Sequence, residues 1–416
     1  MDKQSFSSNN LSVDRFSMNK IDELLTRGVE KIYPSKEELE KVLRSGKKLR
    51  VYEGFDPTSP QLHIGHMVGL IKMRQFQDLG HEVIFLIGDF TGMIGDPTGK
   101  DKARVPLTHE QVMVNAKTYK KQIKKILRLD GQNPIVFKYN NDWWGKEMKA
   151  LDLLKLAHFI SCQQLIERDM FQKRIKQDQD VFMNEFFYPF LQGYDSVAMD
   201  VDLEIGGNDQ MFNMMMGRDL MHKIKRKNKF VMTTPLLTDS QGNKIGKTEG
   251  NVIALTAKPV DLYGMIMNLG DDVIVKCFEY LTDMPMEDVQ SIAKKIEAGE
   301  NPMIHKKKLA YILTMMLNDE KAARKAQDEF ERVHQQGQNP TYNILTYYTK
   351  GREQNIIDLL VNSRLTDSRS EAKRLVEQDA VEIDGKKWQM VNSKLQINDG
   401  SIIKVGKNRF VKIRIK

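Results

Sequence analysis

At 416 residues, 40% of them hydrophobic and 29% charged, the chain has the apolar content for a large core and the length for two or three domains, which excludes disorder as its main description. Two cysteines, Cys162 and Cys277, exclude a disulfide framework or a thiolate-rich zinc site, and the apolar run Val83–Ile87 is far short of the roughly 18 residues of a membrane span. The formal charge of +8 is uneven: residues 351–416 hold 14 Lys and Arg against 9 Asp and Glu, which suggests a polyanionic partner ahead of a merely solvated basic surface.

The first seventeen residues are polar, lack the apolar core of a signal peptide and read as a loose arm. Ser35 and Glu38 have capping-box spacing and open a short helix carrying Leu39, Val42 and Leu43. Lys48–Tyr52 reads as a strand, followed by a loop rich in Gly, Asp and Pro. From His66 a helix carries Met67, Leu70, Ile71, Met73 and Phe76 at helical spacing and ends at Gly80. Val83–Ile87 is a strand of the kind buried on both faces, and the β-loop-α-β succession predicts a parallel α/β sheet. Thr108 to Arg128 reads as helical and basic on one side, a solvated face or a nucleic-acid contact. After Phe230 the chain reads as loop, and from Leu262 to His334 as helix after helix. Residues 335–354, with Gly337, Pro340 and Gly351, read as a linker.

The C-terminal segment has a pattern of its own. Ser368 and Glu371 have capping-box spacing ahead of Ala372, Leu375 and Val376, and Asp384-Gly385 is a hairpin-turn signal. Ile402–Val405 and Phe410–Ile415 alternate like strands. Arg364, Arg369, Lys373 and Arg374 project from the helical part and are candidate RNA contacts, so the segment reads as a compact α+β RNA-binding module.

Two of the eight histidines, His63 and His66, flank Gly65 at the junction between a loop and a helix. A helix start offers unpaired amide N–H groups and partial positive charge, so it favours a phosphate, and two imidazoles beside it can donate to phosphoryl oxygens as charge builds. Downstream, Gly242-Asn-Lys-Ile-Gly-Lys-Thr248 puts Lys244 and Lys247 three apart in a glycine-bracketed loop, point charges suited to a triphosphate. Neither this loop nor the stretch from Gly88 to Lys100 has the glycine spacing of a Walker loop. Tyr188, Gln192 and Asp195 lie at i, i+4 and i+7, a polar stripe on one helical face that is unusual for core.

In this order, the two motifs resemble the HIGH and KMSKS signatures of class I aminoacyl-tRNA synthetases. Tyr52-Glu-Gly-Phe-Asp-Pro-Thr58, Ile94-Gly-Asp-Pro-Thr-Gly, Tyr188-Pro-Phe-Leu-Gln-Gly-Tyr-Asp195 and Gly206-Gly-Asn-Asp-Gln210 are similar to the tyrosyl-tRNA synthetase family from about Ile32 onward, and the tail resembles the alpha-L RNA-binding module of bacterial members. The resemblance implies tyrosine–tRNA ligation, with ATP and Mg²⁺, L-tyrosine and tRNA(Tyr) as partners, in a cytoplasmic homodimer without a membrane segment or a protein-held metal. It implies that Tyr52 and Asp195 bind the tyrosine phenol, that Asp96, Tyr188 and Gln192 bind its ammonium, and that Gln210 lies near its carboxylate. For ATP it implies Gly54, Asp56, Thr58, His63, Gly65, His66, Gly207 and Asp209, with Lys100 and Arg104 near the pyrophosphate. Lys244, Lys247 and Thr248 would clamp the leaving group, and with His63 and His66 they form the catalytic set.

The implied architecture is α/β: a Rossmann-like parallel-sheet catalytic domain over 1–235 with an inserted helical segment at about 108–185, a signature-loop linker at 236–260, an all-α anticodon-region domain at 261–338 and the RNA module at 351–416. The inserted region, with Trp143 and Trp144 nearby, is expected at or near the dimer interface, and Lys117–Arg128 with Lys223–Lys229 at the tRNA acceptor arm. Three features depart from the family pattern: the loop reads Lys-Ile-Gly-Lys-Thr, Glu53 stands where an apolar residue is usual, and Glu204 stands where Gln is usual. Tryptophanyl-tRNA synthetase shares the GGxDQ-like stretch, a nucleotidyltransferase of the HxGH superfamily shares the histidines, and an inactive synthetase-like RNA-binding protein would share the basic tail.

Overall fold

The computed structural model describes residues 20–98, 106–245, 252–336, 345–391, 394–406 and 409–416. Lys100, Arg104, Lys247 and Thr248 lie outside them, as does the N-terminal arm. The described residues form two compact units, one from Met1–Ala257 with Met265–Leu317 and one from Lys258–Gly264 with Asn318–Lys416. The helices expected over 261–338 divide between them: Ile274–Leu281, Met286–Glu297 and Pro302–Leu317 fall in the first, Glu320–Phe330 in the second.

The first unit is built on a six-stranded sheet of β1 (Lys31–Tyr33), β2 (Arg50–Phe55), β3 (Glu82–Ile87), β4 (Val136–Tyr139), β5 (Leu203–Gly207) and β6 (Phe230–Thr234), in the order β1-β6-β5-β2-β3-β4. All pairs are parallel except β1 with β6. Val83 to Ile87 are all buried, as a parallel strand covered on both faces requires. Two sequence expectations are corrected, and the helical reading of Thr108–Arg128 holds in divided form. The run Phe230–Thr234 continues as β6 instead of turning to loop. The strand β4 falls within 108–185, so that stretch is not wholly helical. Thr108–Arg128 holds two short helices, His109–Ala116 and Tyr119–Ile123.

The helix predicted from His66 begins two residues earlier, at Ile64–Asp78, because His63 caps it. Ser35 caps Lys36–Arg44 as its spacing predicts, accepting from Glu38 N at 3.2 Å. Buried Arg27, in the turn after the helical residues 20–26, donates to the carbonyls of Phe278, Glu279 and Thr282 at 3.0, 2.7 and 2.5 Å. These carbonyls lie at the C-terminal end of the Ile274–Leu281 helix, where the backbone acceptors need partners from outside the helix, and Phe278 O also accepts from the Thr282 hydroxyl at 2.6 Å.

The second unit has a five-stranded sheet in the order β10-β9-β12-β13-β7: β7 is Leu345–Thr349, β9 Val381–Ile383, β10 Lys386–Lys387, β12 Ile402–Val405 and β13 Arg409–Ile415. A separate pair joins β8 (Glu353–Asn355) to β11 (Lys394–Gln396). Asp384 and Gly385 both take positive φ, 49° and 80°, which the tight β9–β10 hairpin demands. Ser368 caps the helix Arg369–Glu377, accepting from Glu371 N at 3.1 Å. Ile356, Leu360, Val376, Ile403 and Val411 form the core of this unit.

Candidate active site

One cavity in the first unit is lined by Tyr52, Gly54, Asp56, Thr58, His63, Gly65, His66, Asp96, Tyr188, Gln192, Asp195, Gly207, Asp209, Gln210 and Lys244, which are all of the described residues expected at tyrosine and ATP. They come from β2 and β5 and the turns after them, the segment after the Thr91–Ile94 helix that follows β3, the start of the Ile64–Asp78 helix, one face of the Met183–Met199 helix and the loop after β6. Ligand sites of open α/β sheets lie at this edge, beyond the strand carboxyl ends.

The two histidines are held by the helix they start. His63 Nδ1 accepts from Gly65 N at 3.2 Å, and His66 Nδ1 accepts from His63 N at 3.1 Å. With each Nδ1 accepting, the ring proton of each neutral imidazole sits on Nε2, a donor. The rings lie 3.8 Å apart. A Cβ on Gly65 would meet the His63 ring at 3.0 Å, so the glycine makes room for that ring. The chain returning from the signature loop docks on the same helix start, Ile64 N donating to Ile253 O at 3.0 Å and Leu255 N to Leu62 O at 2.9 Å. Lys244 Nζ bonds Asp209 at 2.6 Å, joining the loop to the end of β5.

At the inner end, Asp195 is fully enclosed. Its Oδ1 accepts from the indoles of Trp143 and Trp144 at 2.8 and 3.0 Å, and its Oδ2 from Asn140 at 3.2 Å. Burial pushes its carboxyl up to about 8 in spite of these donors. Both tryptophans are buried on this carboxylate. Tyr52 is 1% exposed, and its hydroxyl shares a 2.9 Å hydrogen bond with Ser196.

Between the two ends, Tyr188 donates to Asp56 at 2.8 Å, as does Thr91 at 2.7 Å, so Asp56, expected at ATP, is joined directly to Tyr188, expected at the ammonium. Gln210 donates to Asp96 at 2.7 Å and Gln192 to Glu204 at 3.2 Å, while the Asn213 amide bridges the oxygens of Gln192 and Gln210 at 3.0 Å each. Glu53 points to the other face of β2, where a Cβ on Gly69 would lie 2.3 Å from its carboxylate oxygens. Its Oε2 has no hydrogen-bond partner, and burial, with Glu204 nearby, pushes the carboxyl well above the ordinary range, so the charge is suppressed instead of paired.

Sequence reasoning missed Asn140, Ser196 and Asn213, and misplaced Lys229. Lys229 is fully buried against Glu204 and Ser196, which removes it from the expected acceptor-arm set. Within that set Lys117, Lys120, Lys121, Lys124, Lys225 and Arg226 are exposed. Lys125 donates to Leu255 O at 2.7 Å and Arg128 to Asp78 at 2.6 Å. In the second unit Arg364, Arg369, Lys373 and Arg374 are all exposed, Arg369 pairing with Asp358.

A Rossmann-like sheet carrying this helix start and signature loop defines a class I aminoacyl-tRNA synthetase, and the family model described as tRNA synthetases class I (W and Y) matches residues 44–335. The tyrosine–tRNA ligase SYY-like C-terminal domain matches residues 338–413. The chain is 40% identical over 398 residues to the tyrosine–tRNA ligase of Dehalococcoides mccartyi, covering 95% of this chain and 99% of that protein. It is 42% identical over 395 residues to that of Colwellia psychrerythraea, covering 94% and 97%. The chain belongs to the tyrosine–tRNA ligase family. Solved structures of similar fold include a C-terminally truncated mitochondrial tyrosyl-tRNA synthetase of Aspergillus nidulans, with a TM-score of 0.65, 22% identity and coverage of 76% of this chain and 94% of that one. Another is the Archaeoglobus fulgidus tyrosyl-tRNA synthetase complexed with L-tyrosine, with a TM-score of 0.59, 22% identity and coverage of 74% and 99%.

Proposed function

We propose that this cavity joins L-tyrosine to ATP and passes it to tRNA(Tyr), with the residue roles that follow. The chain is a tyrosine–tRNA ligase. A carboxylate oxygen of tyrosine attacks the α-phosphorus of ATP, the new P–O bond forming as the bond to pyrophosphate breaks. A ribose hydroxyl of the terminal adenosine of tRNA then attacks the activated carbonyl and releases AMP. No covalent enzyme nucleophile is needed, so positioning and electrostatics carry the rate.

The phenol lies between Tyr52 and Asp195, the ammonium on Asp96, Tyr188 and Gln192, and the carboxylate near Gln210. A site built around a hydroxyl rejects the analogue that lacks it, an effect for which this enzyme class is the standard illustration. The nucleotide takes Gly54, Asp56, Thr58, Gly65, Gly207 and Asp209. The Nε2–H groups of His63 and His66 donate to phosphoryl oxygens, and Lys244 follows the pyrophosphate with Lys100, Arg104, Lys247 and Thr248. Mg²⁺ enters with ATP, bound to its phosphates and sharing their charge.

The observation that carries this reading is the polar stripe of Tyr188, Gln192 and Asp195 lining the same cavity as the two donor imidazoles. Amino-acid-dependent ATP–pyrophosphate exchange tests it: exchange with tyrosine, and none with tryptophan or phenylalanine, is expected, and exchange with tryptophan would overturn the pocket assignment. Exposed Leu151, Leu154, Phe182 and Met183 support a homodimer formed through the 150–183 region. Arg364, Arg369, Lys373 and Arg374 are placed for RNA phosphates, and the enzyme works in the cytoplasm; no helix among the described residues is long and apolar enough to cross a membrane.

A further inference from the structure

We infer that Lys229 and Glu204 are positioning residues for amino-acid recognition, one buried ion pair holding the Tyr52 end and the Gln192 end of the pocket in a single network. The inference rests on the functional reading above and extends it to two residues that it leaves without a role.

Glu204 stands directly across from Tyr52 in the register of β2 and β5, so both side chains leave the sheet on the same face. Its Oε1 accepts from Gln192 at 3.2 Å, and its Oε2 from Ser196 at 3.4 Å and from Lys229. Lys229 also donates to Ser196 at 2.9 Å, and Ser196 is the partner of the Tyr52 hydroxyl. Lys229 and Glu204 are 0% and 2% exposed. A buried ion pair adds little stability over apolar groups of the same size, because both charges lose their hydration. What such a pair does supply is fixed geometry, and here it fixes two side chains at opposite ends of one substrate. The helix packing is cut to fit it: a Cβ on Gly217 would lie 2.6 Å from Lys229 Nζ and 2.8 Å from Ser196 Oγ.

Lys229→Met or Glu204→Gln alone strands a buried charge, so the informative variant is the double one, which removes both charges together. In ATP–pyrophosphate exchange, Glu204→Gln/Lys229→Met is expected to raise KM for tyrosine about tenfold, the loss of one charge-assisted contact, with KM for ATP unchanged within about twofold. Gly217→Ala keeps both charges but crowds the ammonium, and is expected to raise KM for tyrosine about threefold, again sparing ATP. A folded double variant with wild-type KM for tyrosine would overturn the inference and leave the pair purely structural. If the double variant does not fold, Gly217→Ala decides in the same way. Absence of tyrosine-dependent exchange in the wild-type chain run alongside would instead overturn the functional reading itself.

Discussion

The two ends of the cavity solve opposite problems. At the inner end Asp195, Tyr52 and Glu204 are buried and already engaged by Asn140, Trp143, Trp144, Ser196 and Lys229. At the outer end Lys244 and Asp209 remain 41% and 28% exposed, on a loop and a strand end, and the histidines sit half-buried at a helix start. A site that must tell one side chain from another gains from dipoles fixed in a dry surrounding, since a ligand lacking the matching group leaves them unpaired. A site that must take in a triphosphate and let pyrophosphate go gains from hydrated charges on mobile supports. Damage at the inner end should therefore appear in tyrosine recognition and in folding, and damage at the outer end in rate.

The largest effect expected at the inner end comes from Asp195→Ala, which strands two indole N–H groups and an amide as well as the phenol. Exchange assays should show kcat/KM for tyrosine lowered about 10³-fold with KM for ATP little changed. Trp143→Phe removes one of the donors and should cost about tenfold by the same assay. A matching rise in KM for ATP in either variant would blur the proposed division.

A smaller and purely inner effect is on pH. The Asp195 carboxyl is raised to about 8 from an ordinary 3.8, chiefly by burial, so the free protein favours its neutral form. The stability tied to that form is fully present below about pH 4 and is lost as the pH climbs toward 8. Denaturant unfolding of the free enzyme should weaken over this window by at most about 1.4 kcal/mol per pH unit from this group, and Asp195→Asn should flatten the decline. Parallel pH curves for the two proteins would contradict the assignment.

The same contrast decides what could be read from sequence. The outer residues His63, Gly65, His66, Lys244 and Asp209 lie in short contiguous motifs, and the Tyr188–Asp195 stripe declares itself by helical spacing within one segment. The shell that supports the inner end comes from three separate segments, which no local pattern connects. Trp143 and Trp144 are adjacent yet meet one carboxylate oxygen from a π-helical turn, Asp142–Glu147, that nothing in their spacing predicts. Lys229 ends a run of basic residues and so looks solvated; its one signal was position, immediately before the apolar start of Phe230–Thr234. In the fold, the unbroken apolar strand Val83–Ile87 was legible, whereas Lys138 interrupts β4 and Thr233 and Thr234 end β6, so neither carries a continuous apolar run.

The division of labour along the cavity is tested most directly at His63. His63→Asn removes the Nε2 donor but keeps a side-chain oxygen able to cap the helix at Gly65 N. Equilibrium binding of tyrosine and single-turnover adenylate formation should be measured on the same preparation. The account predicts a tyrosine Kd within about twofold of wild type and an adenylation rate lowered about 10²-fold. A Kd weakened in step with the rate, or an unchanged rate, would contradict it.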